Sequence, residues 1–248
     1  VNIVVLEEAE VGATIPRGDR RWEHIKKVLK KRPGDRLAAG IVDGPLGEAV
    51  VLELDDSGLV LGFEAARDPP PLAPLRLILG FPRPIQAARI LRDLTTLGLA
   101  EIHLTSTELG EKSYTQSSIF RDRDFRGHLI EGAEQAGNPR LPRVSVYWSL
   151  RLCLNSLTDG GPDGGGRIFL HPYGDPELMG AATLMTRSAA YAPRLTLAVG
   201  SERGWSKAEI DALTAAGFVA KCLGGRILKT ETAAIAACVL ALAGLGLI

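Results

Sequence analysis

The chain has 248 residues, 46% of them hydrophobic, enough to bury the core of one large or two ordinary domains. Its 29 basic and 29 acidic residues cancel, so a surface for a polyanion has to come from uneven placement and not from net charge. Cys153, Cys222 and Cys238 form no paired short spacing, which excludes a disulfide framework and a zinc site and points to a reducing cytoplasm.

Val1 to Leu6 is too short for a signal peptide and lacks a basic lead. Asp19 to Lys31 reads as a short helix with Trp22, Ile25, Val28 and Leu29 inward and Lys26, Lys27 and Lys30 outward, ended by Pro33-Gly34. Nine Lys or Arg against Asp19, Glu23 and Asp35 give Arg17 to Arg36 a local balance of plus six. Such a run is either a footprint for a polyanion or a solvated helix face. Arg36 to Val42, Ala49 to Leu54 and Leu59 to Phe63 are strand-like and split by turns at Asp43-Gly44-Pro45 and Asp55 to Gly58, as in a small barrel. The proline run from Asp68 to Pro74 is the linker, dividing the chain into residues 1–67 and 75–248.

Beyond the linker, Leu75 to Phe81 and Ala100 to Leu104 read as strands around a helix from Pro84 to Leu97, a βαβ unit with a parallel sheet. Asp124 to Ala136 is a further helix, Thr158 to Gly166 a surface loop, and Arg167 to His171 a strand whose end should meet a pocket. Two glycine turns follow, each at the carboxyl end of a strand, where open α/β sheets bind ligands. The first, Gly200-Ser-Glu-Arg-Gly204, leaves the strand ending at Val199 and enters a helix through the capping box Ser206-Lys-Ala-Glu209. The second, Gly224-Gly225, follows a strand from Phe218 to Cys222 and opens an Ala-rich helix from Thr230 to Ala243. Neither matches a phosphate or dinucleotide fingerprint. Arg226, Lys229 and Glu231 crowd the second turn in an otherwise apolar run, and charges there need partners or a role. The tail from Ala233 to Ile248 is apolar but short and broken by Gly244 and Gly246, a buried or dimer-packed helix and not a membrane span. His24, His103, His128 and His171 are scattered without ligand spacing, so no metal is expected.

Leu223-Gly-Gly-Arg-Ile-Leu-Lys-Thr-Glu-Thr-Ala233 resembles the signature of the RsmE family of ribosomal RNA uridine methyltransferases. The likeness extends to Asn2-Ile-Val-Val-Leu-Glu7, Arg21-Trp-Glu-His-Ile-Lys-Lys-Val-Leu-Lys30, Gly34-Asp35 and Ala133-Glu-Gln-Ala136. It implies an α/β fold class: an N-terminal PUA-like, RNA-binding β-barrel over residues 1–67, the linker 68–74, and a SPOUT domain over 75–248 with a C-terminal trefoil knot. It also implies a cytoplasmic homodimer, one subunit's barrel near the other's pocket, that transfers a methyl group from S-adenosylmethionine to uridine N3 in 16S (small-subunit) ribosomal RNA. The substrate is then ribosomal RNA or the small ribosomal subunit, with no membrane and no metal involved.

The cofactor positions carried over by motif are Leu170, Val199, Gly200, Glu202, Gly204, Leu223, Gly224, Ile227, Leu228 and Thr230. Uracil N3 carries a proton, so the site needs a general base or a cation that stabilises the uracil anion. Glu231 is the candidate base, Lys229 or Arg226 the candidate cation; the alternative is an Arg226–Glu231 ion pair that only shapes the loop. Glu202 reads as an organiser of nearby amides, and Trp205 as a staple of the next helix or a pocket wall. Arg17, Arg21, His24, Lys27 and Lys30 are the candidate RNA contacts. The chain departs from the family at Ser201 and Arg203, where the family has Gly-Pro-Glu-Gly-Gly, at Asp93 to Gly98, and at Asn138. A positive φ at Arg203 would strain the turn. Two other readings stay open: an RNA-binding module that has lost catalysis, and an α/β enzyme for a small nucleotide-like substrate.

Overall fold

The computed structural model of the protein describes residues 2–157, 166–173, 177–179 and 195–248. The surface loop expected over Thr158 to Gly166 lies almost wholly outside them. The chain forms two compact units, Val1–Pro71 with Ile130–Leu141, and Leu72–Leu129 with Pro142–Ile248.

In the first unit, β1 (Val4–Leu6), β2 (Thr14–Pro16), β3 (Arg36–Ile41), β4 (Leu46–Leu54) and β5 (Gly58–Arg67) form one sheet in the order β1-β3-β4-β5-β2. Only β1 and β3 run parallel; the other neighbours are antiparallel. Period-two alternation turns Ala49 and Val51 of β4 and Leu59 and Leu61 of β5 into a core with Leu6, Trp22 and Ile25. The segment Ile130–Leu141 packs here too, with Ala133 against Ile3, Val5 and Leu46. Division at the proline run had left it with the second unit. The Glu134 carboxylate, 1% exposed, accepts the Val5 amide at 3.2 Å and an ion pair from Arg20.

The helix expected over Asp19 to Lys31 is corrected in its second half. α1 (Arg20–Glu23) passes into a π-helical turn, His24–Val28, closed by the Leu29 amide on the His24 carbonyl at 2.9 Å. The wider turn rotates the face that follows, leaving Val28 65% and Leu29 41% exposed, while Trp22 and Ile25 stay buried. Arg21, a candidate RNA contact, is engaged within the first unit. Its guanidinium bonds Glu10 at 2.6 and 2.7 Å and Asp19 at 2.9 and 3.0 Å, with its side chain only 13% exposed. All of these partners lie within the first unit.

In the second unit, β6 (Ala73–Gly80), β7 (Leu99–Thr105), β8 (Arg143–Tyr147), β9 (Arg167–Leu170), β10 (Leu195–Val199) and β11 (Val219–Lys221) form a sheet in the order β11-β9-β10-β6-β7-β8, every neighbouring pair parallel. β6 and β10 are buried on both faces, which is why they read as near-continuous apolar runs. The exception, Arg76, pairs with buried Glu101 at 2.6 Å, and Glu101 also takes Arg143 at 2.6 Å. α2 (Pro84–Thr96), α3 (Ser118–Arg121), α5 (Leu150–Asn155), α6 (Lys207–Ala215) and α7 (Thr230–Gly244) accompany the sheet; α4 (Arg126–Ala136) begins in this unit and ends in the first. Parallel pairing brings Leu170, Val199 and Lys221, the last residues of β9, β10 and β11, to one edge. Among the described residues no helix is long and apolar enough to cross a membrane.

Arg21 supports a stability prediction. Its hydrogen bonds hold the Glu10 carboxyl below the usual glutamate range, and at Asp19 they outweigh a burial effect that acts the other way. Both groups therefore stabilise the fold above their unfolded values of about 4, and this is lost as pH falls through the lowered folded values. Arg21→Met should cost about 2 kcal/mol at pH 7. In urea unfolding the difference from the parent protein should shrink by pH 3; a pH-independent difference contradicts the assignment.

Candidate active site

One cleft of the second unit is lined by Leu170, Val199, Gly200, Glu202, Gly204, Leu223, Gly224, Ile227, Leu228 and Thr230, all the motif positions singled out above. His171, Pro172, Tyr173, Ser201, Arg203, Trp205, Cys222, Arg226 and Ala233 complete it.

The first glycine turn closes with the Gly204 amide on the Ser201 carbonyl at 2.9 Å. The positive φ in this turn belongs to Gly204, at 73°, so Arg203 carries no such strain. A Cβ on Gly200 would lie 2.9 Å from the Gly204 backbone, and one on Gly80 would lie 2.5 Å from the Ser201 nitrogen. The turn thus rests directly on the end of β6. Ser201, where the resemblance leads one to expect proline, is buried and accepts the Thr107 hydroxyl at 2.9 Å. Glu202 organises a different segment from the one expected: its carboxylate accepts the Arg83 amide at 2.8 Å, at the entry to α2.

The capping box forms as read, with the Glu209 amide on Ser206 Oγ and the Ser206 amide on the Glu209 carboxylate. Glu209 also accepts the Glu108 amide at 2.9 Å, and burial pushes its carboxyl above the usual range. Trp205 serves both roles considered for it, packing with Ile78, Phe169, Leu213 and Phe218 while lining the cleft. Its buried indole N–H finds no acceptor among the described residues. At the second turn Gly224 has φ 109°, and no protein atom lies within 4 Å of where a Cβ would stand.

Of the three charges at the second turn, Arg226 lines the cleft and is exposed. Lys229, the exposed residue capping α7, and Glu231, in its first turn, are not in the lining. Among the described residues no ion pair joins Arg226 to Glu231, so the loop-shaping alternative falls away. The Arg83 guanidinium lies 3.5 Å from the Tyr114 hydroxyl, a contact that raises its pKa, with smaller contributions from the charges of Glu202 and Glu231. Arg83 and Tyr173 are not singled out by the sequence, and His171 only as the end of a strand expected to meet a pocket. Aromatic rings at alternate positions 169, 171 and 173 were the available signal. The Phe169, His171 and Tyr173 rings follow one another at 6.2 and 5.6 Å between centroids.

In the first unit Arg17, Lys27 and Lys30 are exposed and His24 is half-buried. Lys27 pairs with Glu23 at 2.9 Å and Arg17 approaches Asp56 at 3.9 Å, both solvent-facing contacts that cost little to exchange.

A cleft of glycine turns at the carboxyl edge of a parallel sheet is where α/β proteins bind ligands, and the class is given by comparison. A family model described as RNA methyltransferase domain matches residues 68–242. Ribosomal RNA small subunit methyltransferase E of Treponema pallidum is 40% identical, with 98% of this chain and 91% of that protein covered. Its counterpart in Borreliella burgdorferi, ribosomal RNA small subunit methyltransferase E 1, is 27% identical with 97% of each covered. The fold matches the crystal structure of the Neisseria gonorrhoeae methyltransferase E bound to S-adenosyl methionine, with TM-score 0.69, 23% identity and 97% of each chain covered. It also matches a Legionella pneumophila structure with bound cofactor SAM, with TM-score 0.73, 20% identity and 98% of each covered. The chain belongs to the ribosomal RNA small subunit methyltransferase E family.

The contact between Gly80 and the turn is directly testable. Gly80→Val should lower the unfolding free energy by about 1–3 kcal/mol, because backbone and not a flexible side chain occupies the space. Urea titration measures this, and an unchanged midpoint would mean that the turn does not rest on β6.

Proposed function

We propose that this protein transfers a methyl group from S-adenosylmethionine to N3 of a uridine in small-subunit ribosomal RNA. The observation that carries the reading is the convergence of all ten motif positions on one cleft between the two glycine turns. The cleft fits the cofactor: Leu170, Val199, Leu223 and Leu228 supply apolar walls for an adenine, and the glycines leave backbone groups accessible. The buried Trp205 N–H adds a donor without a partner. When bound, the cofactor supplies a methyl carbon on a sulfonium, whose bond to that carbon breaks with its electron pair returning to sulfur.

The protein's own contribution is positioning and charge. Arg226, in the lining, is the cation that stabilises the uracil anion. Lys229 offers a phosphate contact. Arg17, Lys27 and Lys30, with His24 among them, form the RNA-facing patch of the first unit; such contacts orient the substrate without reading its sequence. We assign that unit a PUA-like barrel and the second a SPOUT fold with a C-terminal trefoil knot, in a cytoplasmic homodimer. An undistorted first turn favours catalysis over a module that has lost it.

Mass spectrometry of ribosomal RNA nucleosides from cells with and without the protein should show loss of 3-methyluridine; persistence of that mark refutes the reading. With purified protein, Arg226→Met should reduce the single-turnover rate about 100-fold with cofactor affinity, measured by calorimetry, unchanged. A fall in affinity alone would make Arg226 a cofactor ligand.

A further inference from the structure

We propose that His171 is the group that takes the proton from uracil N3, and that the Tyr173 ring is the face on which the base stacks. This rests on the methyltransferase reading above. Glu231, the acceptor suggested by motif, does not line the cleft, whereas His171 does, immediately after the cofactor-lining Leu170 at the end of β9. The His171 backbone is fixed by its amide on the Lys221 carbonyl at 2.9 Å. Its imidazole makes no hydrogen bond among the described residues, so a ring nitrogen is open to accept a proton. Tyr173 is 58% exposed, lines the same cleft and meets the His171 ring edge-on, with an angle of 73° between the planes. An exposed ring against a polar one is a stacking platform for a single base.

The chemistry balances. The N3–H bond breaks and its proton passes to an imidazole nitrogen of His171. The electron pair left on N3 is the one that bonds the methyl carbon, and the imidazolium then releases its proton to water. Burial holds the His171 imidazole below the ordinary histidine range, so it is unprotonated at pH 7 and has a lone pair free to accept a proton. The charged or titratable groups around it are Tyr173 on its own segment, Glu202, Arg203, Arg226 and Cys222 in the lining, and Lys221 on β11, whose ammonium pairs with Glu177.

The test uses the whole protein with small-subunit ribosomal RNA and S-adenosylmethionine. Formation of 3-methyluridine by the parent protein comes first; its absence refutes the methyltransferase reading and with it the premise. Given that activity, His171→Gln should lower the single-turnover rate about 100-fold or more with cofactor affinity within about twofold. The parent rate should fall tenfold per pH unit on the acid side of the His171 pKa, and this limb should be missing in His171→Gln. Tyr173→Ala should raise KM for RNA about tenfold, with Tyr173→Phe restoring it. A rate within threefold of the parent, or a cofactor affinity that falls in step with the rate, overturns the assignment. Should His171→Gln not fold, NMR of the parent protein's imidazole nitrogens decides. RNA added in the presence of S-adenosylhomocysteine should shift the His171 signals, and unmoved signals overturn the proposal.

Discussion

The second unit depends on a crossing of backbone over backbone. Gly80 ends β6, Gly200 follows β10, and the Ser201–Gly204 turn closes onto both at distances no side chain could share. Because β6 and β10 are paired neighbours in register from Leu75–Leu195 to Leu79–Val199, the turn is fixed by the sheet itself. Everything around the cleft follows from that anchoring. Ser201 reaches Thr107, Glu202 reaches the entry of α2, and the capping box at Ser206 ties α6 to the Glu108 amide. A site held by elements of this kind is preorganised, which is what methyl transfer between two bound partners requires.

The sequence made this cleft legible because its parts are local. Strands buried on both faces appear as apolar runs, a capping box has a fixed spacing, and glycine turns stand at the strand ends; β6, α2, β7, β10, α6 and α7 could each be read within a residue or two. The motif positions then fell together because parallel strands place their carboxyl ends on one edge. What escaped was non-local. That Glu202 would bond Arg83, or that Arg21 would be enclosed by Glu10 and Asp19, depends on segments brought together only in the fold. The outward turn of Val28 and Leu29 escaped for another reason: a π turn breaks the 3.6-residue period on which the face was assigned.

The first unit has its own constraint. Glu134 on the returning segment is almost fully buried and is satisfied by the Val5 amide and Arg20, while Asn2 and Ile3 donate to its carbonyl. The Ala133-Glu-Gln-Ala136 motif is therefore a structural fastener, and Asn138 next to it bonds the Pro70 carbonyl at 3.1 Å. Departure from the family at Asn138 thus falls on a residue that holds the chain in place and is not among those that line the cleft.

The central claim is that the two glycine turns hold a methyl donor against the residues after β9. The most direct measurement is a crystal structure of the protein grown with S-adenosylhomocysteine. The account predicts density between residues 199–204 and 223–230, its adenine against Leu223 and Leu228 and its sulfur facing His171 and Arg226. Density lying elsewhere, or a sulfur turned away from both residues, would contradict it.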